Sequence, residues 1–364
     1  MDLNCTMLYA SGAAYNIEYN IAKNTVTYVD DSVYNSALGW LAPPVPIVGG
    51  QKGIDACLVG RNATGIIVAA RGTLFDTNGY IQDWLNDFRC EPAEFMYPFF
   101  VGGQSLNCHV HSGFYGAISS ALPGKPATQA NSLYSRVQAA VKALLATAPA
   151  ATPVYVTGHS KGGGMAPLLA YLLHLNGIQV AQVVTFAGPR AGEADFKALY
   201  EPLFPNHLRF ENYGDVIPLL WPDQAAADDI LQAVSDILGP LKNIPLIGDI
   251  VSPLITAIQT EITTMEQWNY EPLGTESFIG PLTNGSQPII NNPPVLEQAM
   301  DLLNNLVSQL MAGNSLETTV MLAHTIRPCL GTTPVVGYMS GVCGSVCTTC
   351  DDSSVASELP LRHA

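Results

Sequence analysis

Residues 154–164, VYVTGHSKGGG, constrain the fold more than any other part of this chain. An apolar run ends at a serine flanked by Gly158 and Gly162, and a helix-like run, GGGMAPLLAYLLHL, follows. Small residues on both flanks permit the tight strand-to-helix turn that exposes a serine Oγ. A serine hydroxyl is a poor nucleophile until a base takes its proton, so Ser160 implies catalysis only if an acid and a base are available elsewhere in the chain. The alternative is a glycine-rich turn with an incidental serine.

The surroundings of this stretch alternate between two periodicities. GIIVAARG (65–72), PVYVTG (153–158), 178–187 and HLRFEN (207–212) read as strands, whereas 131–148, 162–175 and 193–203 read as helices. Strands that alternate with helices predict an α/β fold with a mostly parallel sheet covered on both faces. The charge-free segment 162–189 is long enough on paper to cross a bilayer. Its Asn176-Gly177 turn signal and its change of pattern predict helix, turn and buried strand instead.

A triad on such a sheet runs in the order Ser, Asp, His. Asp215 directly follows strand 207–212 and so lies at a strand's C-terminal end, where α/β sheets place their sites. Asp195 falls in an expected helix, and Asp223, Asp228 and Asp229 lie beyond VIPLLWP. Among the seven histidines, His159 shares the turn with Ser160 and is expected to face away from it. His109, His111 and His174 come too early, and His207 precedes the acid. His324 and His363 remain, and His324, in MLAHTIRPCL, is better placed than the penultimate residue of the chain. The helix after Ser160 aims its first N–H groups, Lys161 foremost, at the place where an oxyanion would form.

Charge narrows the partners. Fifteen basic residues against thirty acidic ones give a net charge of −15 with no Lys/Arg cluster, a field that repels phosphate backbones and excludes nucleic acid as an expected partner. Eight cysteines suit disulfides in an oxidising compartment, and sequons at Asn4, Asn62 and Asn284 are compatible with secretion. Residues 1–20 show no signal peptide, as in a mature secreted chain. The expected location is therefore extracellular. The spacing of Cys343, Cys347 and Cys350 could hold a metal, but disulfides or plain thiols are the expectation.

Taken in order, GIIVAARGT with DWLNDF, VHSGF, VTGHSKGG, TFAGPRAGEADF and RFENYGDVIPLL resemble the class 3 lipases, the fungal-lipase-like branch of the α/β-hydrolases. The resemblance spans about residues 55–221, and AHTI extends it. It implies Ser160 as nucleophile, Asp215 as orienting acid and His324 as base, with the Thr73 and Lys161 N–H groups as oxyanion donors. It also implies a lid at 74–88, where Tyr80, Ile81, Trp84, Leu85 and Phe88 form an apolar face. Lys161 departs from the family, which commonly has an apolar residue there.

The expected division is a hydrolase core over 1–221 with 317–340, a helical insertion over 222–316 and a Cys-rich tail over 341–364. Prolines 240, 245 and 253 break the insertion into short amphipathic helices, either a cap over an apolar pocket or an ordinary helical subdomain, with a loop-rich part at 271–294. The expected function is hydrolysis of lipid-type carboxylic esters at a lipid–water interface, by a triacylglycerol lipase or carboxylesterase that needs no metal or organic cofactor. A phospholipase, a feruloyl esterase and a non-catalytic lipid- or partner-binding protein are the alternatives.

Overall fold

The computed structural model describes residues 1–74, 91–100, 102–220, 222–243, 252, 255–256, 258–260, 262–263, 268–284, 286–314, 316–327, 329–330 and 333–344. Among them, eight strands form the central sheet: β1 (Val45–Gly49), β2 (Asp55–Arg61), β3 (Ile66–Ala70), β4 (Val154–His159), β5 (Val180–Phe186), β6 (Leu208–Asn212), β7 (Thr275–Ile279) and β8 (Ile289–Asn291). They lie side by side in chain order. The pairs from β3 to β7 are parallel, and β1–β2, β2–β3 and β7–β8 are antiparallel.

Strand pleating sorts the apolar residues into two layers, because successive side chains face opposite sides. Cys57 and Val59 of β2, with Ile66, Val68 and Ala70 of β3, enter one core beside helices Leu133–Thr147 and Lys161–Leu175. Ala56, Leu58, Ile67 and Ala69 enter the other, against Met7 and Leu8 of the N-terminal helix Leu3–Ala13. Both faces of β3 are buried, so its sequence reads as an uninterrupted apolar run. The charge-free segment resolves as expected into helix Lys161–Leu175, a turn with Gly177 at φ 78°, and β5. Among the described residues no helix is long and apolar enough to cross a membrane.

The N-terminal helix has no motif in the sequence, yet it is a core element. Asp2 caps it by accepting from the Cys5 N–H at 2.8 Å. Cys5 is bridged to Cys343 in helix Tyr338–Cys343, which joins positions 338 residues apart. Cys57 and Cys108 are buried thiols, each raised to about 12 chiefly by burial. Cys90, Cys347, Cys350, His363 and most of the expected lid lie outside the described residues.

The stretch read as a helical insertion with a loop-rich part is built in two ways. Helices Gln224–Ile237 and Val295–Met311 pack around their own small core of Ile230, Val234, Leu303 and Leu306. Between them, in the part expected to be loop-rich, β7 pairs in parallel with β6 and extends the central sheet. Its sequence, TESFI, hides this because a buried Glu276 interrupts the apolar pattern, held by Arg209 of β6 at 3.2 Å. Of the sequons, Asn62 is structural: its Nδ2 donates to the Leu38 carbonyl at 3.0 Å, and its Oδ1 accepts from the Thr64 and Gly65 N–H groups.

Candidate active site

Ser160 stands between β4 and helix Lys161–Leu175 with φ 57° and ψ −131°, a backbone region that a residue with a side chain occupies only under constraint. The constraint is close packing. A Cβ on Gly158 would collide with the Gly162 carbonyl, and one on Gly162 with the Ala70 carbonyl at the end of β3. The turn therefore needs both glycines. Ser160 is fully buried, and its Oγ has no hydrogen-bond partner among the described residues, a costly condition that persists where a group is held ready for something else.

His324 ends helix Leu316–His324 and is 1% exposed. Its Nδ1 lies 2.9 and 3.0 Å from the two oxygens of Asp215, itself buried in the turn that follows β6. A carboxylate only accepts, so Nδ1 carries the proton and Nε2 is left as the basic nitrogen of the neutral ring. The Asp215 oxygens are further held by the Ile217 N–H at 3.0 Å and the Tyr338 hydroxyl at 2.7 Å.

His159 connects this pair to the serine turn. Its ring centroid is 4.6 Å from that of His324, and its Nε2 donates to the His324 backbone carbonyl at 2.7 Å. That bond fixes the tautomer, so Nδ1 accepts from the Tyr15 hydroxyl at 2.8 Å. Burial, followed by the repulsion an imidazolium at His324 would exert, holds His159 well below the usual histidine range, and it stays neutral.

Two of the other described histidines, His111 and His207, are committed elsewhere. His111 accepts from the N–H groups of Gly113 and Phe114, and His207 is buried between Thr185 and Tyr200 with its pKa lowered to about 3 by burial. Among the rival acids, Asp195 lies beside His109, and Asp223 pairs with Arg190 at 3.0 Å.

Residues 67–225 match the family described as lipase (class 3), which takes in β3, the serine turn and Asp215. Over residues 67–225 the chain is similar to the class 3 lipases.

Two curated relatives are a phospholipase A1-II 4 from Oryza sativa subsp. japonica and a secreted mono- and diacylglycerol lipase 1 from Fusarium solani. The first is 30% identical over 48% of this chain and 44% of its own length, the second 27% identical over 48% and 45%. The chain thus spans less than half the length of these relatives. Among solved structures, the native Rhizomucor miehei lipase propeptide complex aligns with a TM-score of 0.46 and 17% identity, over 82% of this chain and 74% of that one. The sheet order, the serine turn and the family match together give the α/β-hydrolase fold.

The departure from the family at Lys161 has a local cause. Its ammonium reaches Asp55 at the start of β2, 2.5 Å away, so the charge is drawn off the turn while the backbone N–H stays in the first turn of the helix, where no intrahelical acceptor exists. Thr73, half-buried, follows Gly72, and Gly72 lies against the serine turn. A Cβ on Gly72 would come within 2.9 Å of Ser160 Cβ and 2.7 Å of the His159 carbonyl. Gly72→Ala is therefore expected to lower kcat at least about tenfold while the protein remains folded, since small displacements at a reacting centre carry costs of that order or more. Circular dichroism beside ester turnover reads both quantities.

Four residues around the site were missed in the sequence: Tyr15, His159, Asn212 and Tyr338. Asn212 donates from Nδ2 to the Ala323 carbonyl at 2.8 Å and from its backbone N–H to the Tyr338 hydroxyl oxygen at 3.1 Å. His159 and Asn212 had a signal, since each lies within three residues of a candidate site residue. Tyr15 and Tyr338 had none, because both arrive from segments remote in sequence.

Proposed function

We propose that this protein is a serine hydrolase of lipid-type carboxylic esters, with Ser160 as nucleophile, His324 as general base and Asp215 as the acid that orients it. The observation that carries the reading is the Asp215–His324 pair, 2.9 Å apart and buried, pegged through His159 to the turn that bears Ser160, whose Oγ has no partner among the described residues. A binding protein has no need of that arrangement.

In this reading, Ser160 Oγ attacks the ester carbonyl carbon as His324 Nε2 takes its proton. The Thr73 and Lys161 N–H groups hold the oxyanion, and the proton passes to the leaving alcohol. Water, deprotonated by His324, then releases the acyl group from Ser160. Asp215 balances the imidazolium charge in both steps, and the Tyr338 and Ile217 donors keep its carboxylate turned towards Nδ1. The relatives named for acylglycerol and phospholipid hydrolysis support a lipid ester as substrate, and acylglycerols are the reading we adopt. The Cys5–Cys343 disulfide and the secreted fungal relative support an extracellular location.

Ser160 has no solvent exposure. A p-nitrophenyl ester series from acetate to palmitate, run below and above substrate solubility, is expected to show higher kcat/KM for the longer chains and a rise in rate once an interface forms. A preference for acetate with no rise would point to a small-ester esterase, and release of fatty acid from phosphatidylcholine but not from diacylglycerol would favour the phospholipase.

A further inference from the structure

Away from the serine turn, His109, Glu193 and Asp195 bring one imidazole nitrogen and two carboxylates together, with the three ligand atoms all within 4.8 Å of one another. His109 lies in strand Gln104–His111, Glu193 in the two-residue strand Gly192–Glu193, and Asp195 in the first turn of helix Ala194–Tyr200. His109 Nδ1 is 2.7 Å from Asp195 Oδ2 and 3.8 Å from Glu193 Oε2.

Asp195 is held for this position rather than resting on it. Its Oδ1 accepts the backbone N–H groups of His109 at 3.0 Å and Phe196 at 2.7 Å, which leaves Oδ2 directed at the imidazole. Glu94, the cross-strand partner of His109, adds a third carboxylate to the neighbourhood. Lys197, on the same helix as Asp195, is engaged by Glu271 at 3.1 Å. The imidazolium of a protonated His109 offsets only one of the gathered negative charges, whereas a divalent cation offsets two.

We propose that His109, Glu193 and Asp195 form a binding site for a divalent transition-metal ion, with Zn2+ as the ion its donors suit. An imidazole nitrogen with two carboxylates is a zinc donor set, whereas calcium and magnesium take oxygen alone. Bonds of about 2.0–2.2 Å in tetrahedral geometry require donor separations of about 3.3 Å. The two separations from His109, 2.7 and 3.8 Å, bracket that value and the two carboxylates lie within 4.8 Å of each other, so side-chain rotations bring the three donors to three corners. His109 is about half exposed, which leaves the fourth corner open to water.

Its role is to clamp a short seam. Strand Gly192–Glu193 joins strand Gln104–His111 through the single register pair Gly192–Val110. A metal bound to His109 on one side and to Glu193 and Asp195 on the other ties the two together where the ladder is shortest.

The test uses the full chain, freed of metal with a chelator, and Zn2+ alone as the probe. Calorimetry is expected to show one Zn2+ bound per chain with a rise in Tm, and zinc-edge X-ray absorption a shell of nitrogen and oxygen donors without sulfur. His109→Ala and Glu193→Gln are each expected to weaken binding at least about tenfold, since losing even an outer partner of a ligand costs on that order. Both retain Asp195 and its backbone bonds, so the fold survives the substitutions. Ser160→Ala is expected to bind Zn2+ as the wild type does, which separates this site from the hydrolase reading. A sulfur shell, an affinity unchanged in both variants, or no binding at millimolar Zn2+ would overturn the proposal and leave His109–Asp195 as a surface ion pair.

Discussion

Ser160→Ala is expected to reduce kcat for p-nitrophenyl ester hydrolysis by about a million-fold, the scale on which serine hydrolases lose turnover when the nucleophile is removed. The substitution takes away one oxygen that is buried without a described partner, so nothing in the core depends on it. Tm is expected to stay level or rise slightly, because a desolvated hydroxyl is relieved. Equal rates for wild type and variant would sink the hydrolase reading outright. A residual rate some thousandfold above water would instead be consistent with it, since oxyanion donors and substrate binding persist without the nucleophile, at roughly that level.

The second large effect concerns the base. His324→Ala is expected to lower kcat by about the same factor as the serine variant, because nucleophile and base act as one unit, while His363→Ala leaves turnover nearly unchanged. The asymmetry follows from the acid: His324 shares a proton with Asp215 at 2.9 Å in a buried setting. Removing the imidazole also leaves the Asp215 carboxylate with the Tyr338 hydroxyl and the Ile217 N–H as its remaining partners. Some loss of Tm is thus expected as well, since a buried charge short of partners is costly. His324→Gln, closer in volume and able to donate to Asp215, separates this structural cost from the chemical one. It is expected to recover the Tm but not the rate. Full turnover in either variant, or its loss in His363→Ala, would reassign the base.

The four central strands β3 to β6 and the helices that follow β4 and β5 could be read from residues alone because each is either apolar throughout or regularly amphipathic, whereas strands Pro92–Tyr97 and Gln104–His111, between β3 and β4, were not read. The reading failed at β7, where a buried carboxylate stands inside a strand, held by Arg209 and by the Gln298 amide. It was silent on helix Leu3–Ala13, whose contacts lie far off in the chain. Lys161 looked like a charge beside the site until Asp55, more than a hundred positions earlier, was found against it.

What the sequence determined by itself was local chemistry: a serine that must sit in a sharp turn because Gly158 and Gly162 flank it, and an acid placed at a strand end. These follow from backbone sterics and strand geometry over a few residues, which the chain writes out directly. Tertiary structure alone decided how those pieces are held. Tyr15 reaches His159, His159 reaches the His324 carbonyl, Tyr338 reaches Asp215, and the Cys5–Cys343 bridge joins the two ends of the described chain. Hydrogen bonds of this kind depend on distances of about 3 Å between residues more than a hundred positions apart, and no periodicity or spacing in the sequence encodes such a distance.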